Sequence, residues 1–430
     1  MTSAGRIFFA ITFFCLFVGF QIVALSSFRN FFLRNNFRFD KKVIPGILIF
    51  FNVPYLIFLI AGMKLSSLPE FIYYIYVIPF FIYQTGTFIS GLVISLYWLI
   101  KSPFLFIGFL LKKFKPLNAR LKKFKSKKEV VKFDNSRRKF IAGTGFFIAG
   151  YAFMGTGVGL LGKNKFEITY RNIYPEALPD GLDGFTMTLI SDIHCGPFMS
   201  DETLSDYVRA INSMNSDIIC IPGDITTSEE NEVFPFIKSF SALKAKHGVY
   251  ATLGNHDYFS KPDNIAKRIS ENTDIVMLRN DSRIIYVNNI PLIISGTEDT
   301  RASGAGVGKE IEKYLSDTFI GAKNLSESKG VDFLKTKKIL LYHKPYVFPE
   351  LVDKGYDLML SGHTHGGQVV FAKIGDISVS FASSLNKYVQ GLFTEKNFNM
   401  YVSRGIGTVG LPIRVNCPPE ITQLTFRKKY

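Results

Sequence analysis

The sequence predicts a chain of two parts, with about four long apolar helices followed by an α/β domain. Long apolar runs are confined to residues 1–165, whereas residues 166–430 have the composition of an ordinary globular domain. In this second part, short apolar runs typical of buried strands alternate with amphipathic helical patterns. Polar clusters rich in His and Asp directly follow five of the predicted strands. We therefore place the boundary between the two parts at residues 165 and 166.

The first part contains four apolar segments, each with about the 20 residues that a membrane-spanning helix needs. The third segment is long and contains Pro79, so we expect it to tilt, to kink or to continue through residues 104–111. The predicted spans carry almost no ionisable side chain, which favours an anchor over a transporter or channel. The four segments are residues 7–25, 43–63, 71–100 and 140–161.

The charge of the chain is divided in the same way. Residues 1–165 carry 23 Lys and Arg against 4 Asp and Glu, whereas residues 166–430 carry 28 against 31. The basic loops 26–42 and 101–139 lie between apolar segments, where the positive-inside rule places cytoplasmic loops. This pattern disfavours nucleic-acid binding. It predicts a multi-pass protein of the bacterial inner (cytoplasmic) membrane, with the second part on the periplasmic or extracellular side.

The stretch "SRRKFIAG", residues 136–143, precedes the fourth apolar segment and has two interpretations. It is similar to a twin-arginine export signal, which delivers a folded domain across the membrane. Alternatively, Arg137 and Arg138 are two more cytoplasmic charges. Both interpretations place the second part on the same side of the membrane.

The polar clusters of the second part begin where apolar runs of four to six residues end. Ligands of α/β sheets bind beyond the carboxyl ends of the strands, so we expect the clusters to meet at one edge. Between the runs we predict one helix with Ser200 as N-cap and another within residues 231–248, with Gly248 as stop signal. The clusters are Asp192 and His194 after "FTMTLIS", Asp224 after "DIICIPG", Asn255, His256 and Asp257 after "GVYATLG", His343 after "KILLY", and His363 and His365 after "YDLMLSG".

Seven of these side chains have the chemistry of metal ligands: two carboxylates, one amide oxygen and four imidazoles. Imidazole and carboxylate together suit Mn, Fe and Zn, and they exclude an all-oxygen calcium site. Seven ligands are too many for one catalytic ion, which keeps an open position, but they fit two ions that share a carboxylate. The seven are Asp192, His194, Asp224, Asn255, His343, His363 and His365.

The spacing of the paired ligands agrees with this prediction. Alternate residues of an extended chain project to the same side, so Asp192 and His194 can both reach one ion. His363 and His365 have the same spacing and can divide between neighbouring ions. The glycines of "GHTHGG" let the backbone turn sharply and approach closely. Each pattern alone is common in turns and on surfaces, so the prediction depends on their order and on their positions after strands.

The motifs "DIH", "GD", "GNHD", a single His and "GHTH", in that order, resemble those of the calcineurin-like metallophosphoesterases. The resemblance covers residues 166–430. The stretches "GHTHGGQ", "VSRGIGT" and "CPPEI" further resemble a branch of membrane-associated bacterial phosphohydrolases. The resemblance implies a double-sheet α/β/β/α sandwich and a phosphoric ester hydrolase with two divalent ions. Manganese is the first expectation, with iron, zinc or magnesium as alternatives.

Carried over by motif, the resemblance also implies a role for each site residue. A hydroxide that bridges the two ions would attack phosphorus. His256 would act as general acid or would stabilise charge at the phosphate, and Asp257 would orient His256. One ion would take Asp192, His194, Asp224 and His365, and the other Asp224, Asn255, His343 and His363.

Several functions agree with these residues. The protein Ser/Thr phosphatases of the same superfamily read "GDxxDRG" and "GNHE", whereas this chain reads "GDITTSE" and "GNHD", which favours a lipid or small-molecule phosphoester. The first hypothesis is a membrane-anchored phosphodiesterase or pyrophosphatase. An alternative is an enzyme like the UDP-2,3-diacylglucosamine pyrophosphatase of lipid A synthesis, which needs access to the cytoplasm. Another is a non-catalytic scaffold on the same fold, although such proteins usually lose ligands.

Overall fold

The structure is a computed structural model of the chain, and it divides into two compact units, Met1–Val158 and Gly159–Tyr430. The domain boundary at residues 165 and 166 stays a prediction. The structure describes residues 3–38, 40–60, 70–113, 123–124, 126–127, 133, 136, 143, 145, 147, 149–151, 153–160, 162–196, 198–300, 308–374 and 377–429.

The N-terminal unit is helical wherever it has regular structure among the described residues. Within them, two helical stretches are long and apolar enough to cross a membrane, Phe14–Arg34 and Ile75–Leu111, and Val43–Pro54 is a shorter apolar stretch. Its helices are Ser3–Arg34, Val43–Ile60, Glu70–Ile72 and Ile78–Lys112, with a π-helical turn at Tyr73–Val77.

These bounds test the four predicted spans only in part. The first and third predicted spans, residues 7–25 and 71–100, overlap the two long apolar stretches, Phe14–Arg34 and Ile75–Leu111. The third continues through residues 104–111, and Pro79 stands in its first turn, where proline is compatible with a helix. The second predicted span forms a helix that contains Pro54. The fourth, residues 140–161, lies partly outside the described residues. Arg137 and Arg138 both lie outside them. Four spanning helices are therefore not confirmed.

Three helices of this unit meet through buried amide side chains. The Gln21 amide donates to Asn52 Oδ1 at 3.2 Å and to Gln84 Oε1 at 2.5 Å, and Asn52 donates back to Gln21 Oε1 at 2.8 Å. Tyr83 adds its hydroxyl to Gln21 Oε1 at 3.0 Å. Apolar surfaces pack about equally well against any apolar neighbour. A buried amide needs a specific partner, so these hydrogen bonds hold the three helices together.

The C-terminal unit contains two six-stranded mixed sheets within its described residues. The first has the order β1-β14-β2-β3-β4-β5, with β1 Glu167–Ile173, β14 Glu420–Phe426, β2 Thr186–Leu189, β3 Ile218–Pro222, β4 Val249–Thr252 and β5 Ile275–Met277. The second has the order β12-β13-β9-β8-β7-β6, with β12 Gly391–Glu395, β13 Phe398–Val402, β9 Leu358–Ser361, β8 Lys337–Leu341, β7 Ile290–Gly296 and β6 Asp281–Val287.

The two sheets pack face to face and share one apolar core. Leu189 and Cys220 from the first sheet and Ile294 and Leu341 from the second belong to the same buried cluster. Helices cover the outer faces, which gives the layers of an α/β domain with mixed sheets. The first sheet is covered by helices Asp201–Ser213, Val233–Phe240 and Pro262–Asn272, and the second by Lys309–Ser328 and Phe348–Leu351. Beside them lie a hairpin of β10 Val370–Ile374 and β11 Ile377–Ser380 and a short helix, Phe381–Leu385.

Two predicted helix boundaries have different outcomes. Ser200 is the N-cap of its helix, and its hydroxyl accepts a hydrogen bond from Thr203 N at 3.2 Å, as predicted. The helix predicted to run to Gly248 ends at Phe240. Turns and irregular backbone follow up to Gly248, which has a φ of 103° and directly precedes β4 beside β3.

Candidate metal centre

All the predicted site residues lie in loops that directly follow strands. Strands β2, β3 and β4 are parallel in one sheet, and β8 and β9 are parallel in the other. Their carboxyl ends therefore present five loops to a common region between the sheet edges. The structure therefore brings the predicted clusters together at this edge.

The backbone at these loops is left-handed rather than extended. Asp192 and His194 have φ values of 50° and 47°, and Asp224, His363 and His365 have 54°, 73° and 52°. The alternation of an extended strand is therefore the wrong reason for the Asp-x-His spacing. These side chains converge because each residue turns the chain. Such conformations cost energy in residues with a side chain, and they concentrate at functional sites.

Glycines allow the loops to pack against the carboxylates. A Cβ added at Gly362 would overlap the Ser191 hydroxyl and the Asp192 carboxylate, and one at Gly254 would overlap Asp224. The two loops can approach this closely only because these positions lack side chains. The glycine before the first histidine of "GHTHGG" thus serves close approach, as the sequence indicates.

The first group of potential ligands is Asp192, His194 and His365, whose ligand atoms lie within 4.8 Å of one another. The Nε2 atoms of His194 and His365 face each other at 3.0 Å, and His365 Nε2 lies 3.4 Å from Asp192 Oδ1. Donor atoms about 3 Å apart have the spacing of two ligands on one ion, given metal–ligand distances of about 2.0–2.2 Å.

The second group is Asp224, His343 and His363, again within 4.8 Å. His343 Nε2 lies 3.1 Å from Asp224 Oδ2. The same carboxylate oxygen lies 3.5 Å from His194 Nε2, so Asp224 stands between the two groups. The structure thus separates His363 from His365 and gives each to a different group.

Buried polar atoms without hydrogen bonds show whether these residues fit a metal. Asp192 Oδ2, Asn255 Oδ1 and His343 Nε2 are all buried and make no hydrogen bond. Leaving such atoms unsatisfied is costly. The two oxygens have lone pairs that can bind a cation, and Nε2 of His343 has one once its proton has left. Oxygen and imidazole donors in this mixture suit divalent transition ions, so the residues fit the two-ion centre that the sequence predicts.

Backbone carbonyls fix the orientation of two imidazoles. His343 Nδ1 lies 2.8 Å from Pro222 O, and His256 Nδ1 lies 2.7 Å from Thr227 O. A carbonyl can only accept, so in both rings the proton is on Nδ1. Their Nε2 atoms then face the centre, which is the orientation that metal-binding histidines usually receive from their surroundings.

Burial keeps most of these imidazoles neutral. It lowers the pKa of His194 and of His363 to about 3, and it lowers the pKa of His365 well below its usual value. His343 differs: burial lowers its pKa, but the Asp224, Asp192 and Asp299 carboxylates together outweigh burial and raise it to about 10. Burial, with a smaller contribution from Asp224, raises the pKa of Asp192 to about 6.

Asp257 has a different environment from the one expected. Its carboxylate is fully buried and accepts hydrogen bonds from Gly254 N at 2.9 Å, Thr226 N at 2.8 Å and Ile225 N at 3.2 Å. None of its described contacts reaches the His256 ring, which is oriented by Thr227 O instead. The expected role of Asp257 in orienting that ring stays a prediction; its hydrogen bonds hold the loop after β3 against the loop after β4.

Arg414 is a residue that the motif analysis missed. It is buried, and its Nη2 donates to the carbonyls of Arg404 at 2.9 Å and Gly407 at 2.5 Å, while lying 3.5 Å from His365 Nδ1. Gly407 N in turn donates to Asp192 O at 2.7 Å. Arg414 therefore fastens the segment that supports the Asp192 loop. The only sequence signal was the resemblance of "VSRGIGT", which covers residues 402–408 and stops before Arg414.

The comparisons with known proteins agree with this site. Residues 185–367 match the family model described as calcineurin-like phosphoesterase. The chain therefore contains a domain of the calcineurin-like metallophosphoesterase superfamily, which implies a metal-dependent phosphoester hydrolase. The match spans all five strand-end clusters.

Its relatives include bacterial and animal proteins. An uncharacterized metallophosphoesterase, YkuE, of Bacillus subtilis is 28% identical over 302 residues, which cover 68% of this chain and 98% of the relative. A transmembrane protein with metallophosphoesterase domain from Danio rerio is 28% identical over 262 residues, 59% of this chain and 55% of the relative. An uncharacterized metallophosphoesterase of Aquifex aeolicus is 29% identical over 257 residues, 60% of this chain and 90% of the relative. The match thus spans only about half of the zebrafish relative.

Proposed function

We propose that this chain is a membrane-anchored hydrolase that uses two divalent ions to cleave phosphodiester or pyrophosphate bonds of a lipid or small molecule. The observation that carries the proposal is the position of Asp224 between two groups of His and Asp donors. A shared carboxylate lets two cations stand close together, and two such ions clamp a phosphate between them.

The ligands divide between the ions as follows. Asp192, His194 and His365 hold one ion, and Asn255, His343 and His363 hold the other, with Asp224 in common. The three buried atoms without hydrogen bonds support this division because two belong to the second set and one to the first. Manganese is the proposed ion, with iron, zinc and magnesium as alternatives that reconstitution distinguishes.

When bound, the ions lower the pKa of water and neutralise charge on the phosphate. His256 is the proposed general acid. Its ring is only partly buried and lies beside His194 and Asp224, and Thr227 O fixes its Nδ1–H. Its Nε2 is then free to hold a second proton and to deliver it to the leaving oxygen. Asp257 acts through the backbone of the surrounding loops.

The N-terminal helices are the proposed membrane anchor. The two long apolar helices and the name of the zebrafish relative support this role. The basic loops support a location of the catalytic unit on the periplasmic or extracellular side of a bacterial inner membrane. A phosphoester within or near the membrane surface is then the natural substrate. Reporter fusions after Tyr430 test the side: an active periplasmic-type reporter supports it, whereas cytoplasmic fluorescence favours the lipid A type of reaction.

The full-length chain in detergent tests the catalytic proposal. Manganese-loaded protein should hydrolyse bis(p-nitrophenyl) phosphate, with p-nitrophenyl phosphate as the monoester comparison. His256→Ala should reduce kcat by about 10²–10⁴-fold without loss of metal. His247→Ala is the matched control, since His247 is the one histidine of the chain outside the site. Folded, metal-loaded protein that hydrolyses neither ester nor a pyrophosphate would favour the scaffold alternative.

A further inference from the structure

A buried ion pair lies beside the second group of potential ligands. The Lys344 ammonium donates to Asp299 Oδ1 at 2.5 Å and to Thr300 O at 3.1 Å. Lys344 is 4% exposed and Asp299 is 0% exposed, so water screens the two charges little. Lys344 directly follows His343, and Asp299 lies in the loop after β7, a strand parallel to β8. The pair therefore connects two loops at the edge of the sheet that carries the site.

The Asp299 carboxylate depends on this pair. Its Oδ1 also accepts a hydrogen bond from Thr300 N at 2.6 Å. Its Oδ2 is buried and makes no hydrogen bond in the described part of the chain. Burying a carboxylate or an ammonium is costly unless the charge is paired. The described ion pairs give Asp299 one cationic partner, Lys344, so each of the two charges compensates the other.

Both charges reach the imidazoles of the second group. Burial lowers the pKa of His363 first of all, and the charges of His343 and, to a smaller extent, Lys344 lower it further. Burial also lowers the pKa of His343, and Asp299 is one of the carboxylates that more than reverse this effect. A cation at this group is thus repelled by Lys344 and attracted by Asp299.

The second group has little negative charge of its own. Its one carboxylate, Asp224, also lies beside the first group. The other proposed ligands of the second ion are an amide and two imidazoles, which bind an ion as neutral groups. An ammonium without a counter-charge would repel a divalent ion here, and more strongly than in water. A lysine next to His343 therefore needs its charge balanced if an ion is to bind.

We propose that Asp299 is a positioning residue of the metal centre, which holds and neutralises the Lys344 ammonium so that the second ion can bind beside it. This inference rests on the two-ion centre of the proposed function. It adds to that centre a sixth strand-end loop, the one after β7, which the sequence motifs did not indicate. A purely structural ion pair would connect the same two loops, but the sign of each charge would not matter to the ion.

Three variants of the full-length chain in detergent test this role by calorimetric titration with manganese. Asp299→Asn keeps the shape of the side chain but not its charge, and it should weaken the second ion by about 10- to 100-fold, as loss of a supporting residue usually does. Lys344→Met removes the ammonium instead and should bind the second ion at least as tightly as the wild-type chain. The double variant has the wild-type net charge, so its affinity should lie within about threefold of the wild-type value.

The two single variants distinguish this role from a purely structural one. Each breaks the same bond and leaves a buried group unpaired, so both should unfold at a lower temperature without manganese. Only the proposed role predicts opposite effects on the second ion. A second ion that both single variants weaken equally overturns the inference, and so does a double variant that binds it more than about tenfold less tightly than the wild-type chain.

Asp357→Asn is the matched control, since Asp357 pairs with Lys337 at 2.8 Å at the start of β8, the end remote from the site. Its manganese titration should be unchanged. If Asp299→Asn does not fold, the other two variants decide. The double variant should then bind the second ion less tightly than Lys344→Met, and the reverse order overturns the inference. Two bound ions without hydrolysis of any ester contradict the proposed function and leave this test in place, whereas a wild-type chain that binds one ion contradicts both.

Discussion

The Nε2 atoms of His194 and His365 lie 3.0 Å apart, although 171 residues separate the two histidines in the sequence. Burial lowers the pKa of both rings, so each is neutral and carries one N–H. Without an ion, one Nε2–H can donate to the other Nε2. If both rings instead carry the proton on Nδ1, the two Nε2 lone pairs face the same point. A cation that both Nε2 atoms bind would then replace the hydrogen bond between them.

Replacing the shared carboxylate should remove both ions. We expect Asp224→Asn to reduce bound manganese from about two ions per chain to less than one, because an amide oxygen cannot carry the bridging charge. Elemental analysis of the full-length protein after desalting measures this. Asp281→Asn is the matched control, since Asp281 is exposed at the start of β6. Retention of two tightly bound ions in the Asp224 variant contradicts the shared role.

The two histidines of "GHTHGG" should differ in the ion they hold. His365→Ala should weaken the ion at Asp192, and His363→Ala should weaken the ion at His343, so each variant should retain about one tight ion. Manganese titrations of the two single variants and the double variant measure the stoichiometry. If either single variant loses both ions with unchanged stability, the division between two groups is wrong.

Metal binding should release protons and strengthen with pH. In the metal-free chain, burial lowers the pKa of His343, but the Asp224, Asp192 and Asp299 carboxylates together raise it to about 10, so the ring is protonated at neutral pH. An ion must displace that proton, and the apparent affinity should rise up to about tenfold per pH unit between pH 6 and 8.

The titration of Asp192 should also make metal affinity rise with pH. Burial raises the pKa of its carboxyl to about 6, so protonation competes with the ion as the pH falls through that value. Calorimetry in two buffers of different ionisation enthalpy counts the released protons. Affinity that is constant from pH 6 to 8, with no proton released, would show that His343 is neutral before binding.

Arg414 should be needed for both stability and metal binding. Arg414→Met leaves the carbonyls of Arg404 and Gly407 without their donor, and we expect a loss of about 3 kcal/mol in the free energy of unfolding. Arg414→Lys should restore little, since an ammonium cannot match the planar guanidinium fork. Chemical denaturation and manganese content measure the two effects. Arg209→Met is the control, because Arg209 is exposed.

The amide contacts of the N-terminal unit should contribute to its stability and leave the chemistry unchanged. Gln84→Leu removes one partner of Gln21 and Asn52, and we expect a loss of about 1 kcal/mol, since hydrogen bonds between apolar helices are worth about that much. Thermal unfolding in detergent measures the loss, and diester hydrolysis should be retained. A large loss of kcat with unchanged unfolding would assign these helices a role in catalysis.

The sequence predicted the strand-end residues because an apolar run followed by His or Asp is a local pattern. It also predicted the N-cap Ser200, another local signal. It failed where a distant contact decides the structure. The helix before β4 ends at Phe240 instead of Gly248, and no local pattern predicts that the Asp257 carboxylate accepts hydrogen bonds from the loop after β3. The left-handed φ of Asp192 likewise reflects close packing against Gly362, far along the chain.

The donors come from both sheets: Asp192, His194 and Asp224 follow strands of one, and His343 and His365 follow strands of the other. An ion held by His194 and His365 is therefore a cross-link between distant parts of the chain, as a disulfide would be. Cross-links that close long loops restrict the unfolded chain most. The ions that would act on phosphate would thus also hold the two sheets together. Removing them with a chelator would lower the stability of the folded unit as well as stop the reaction.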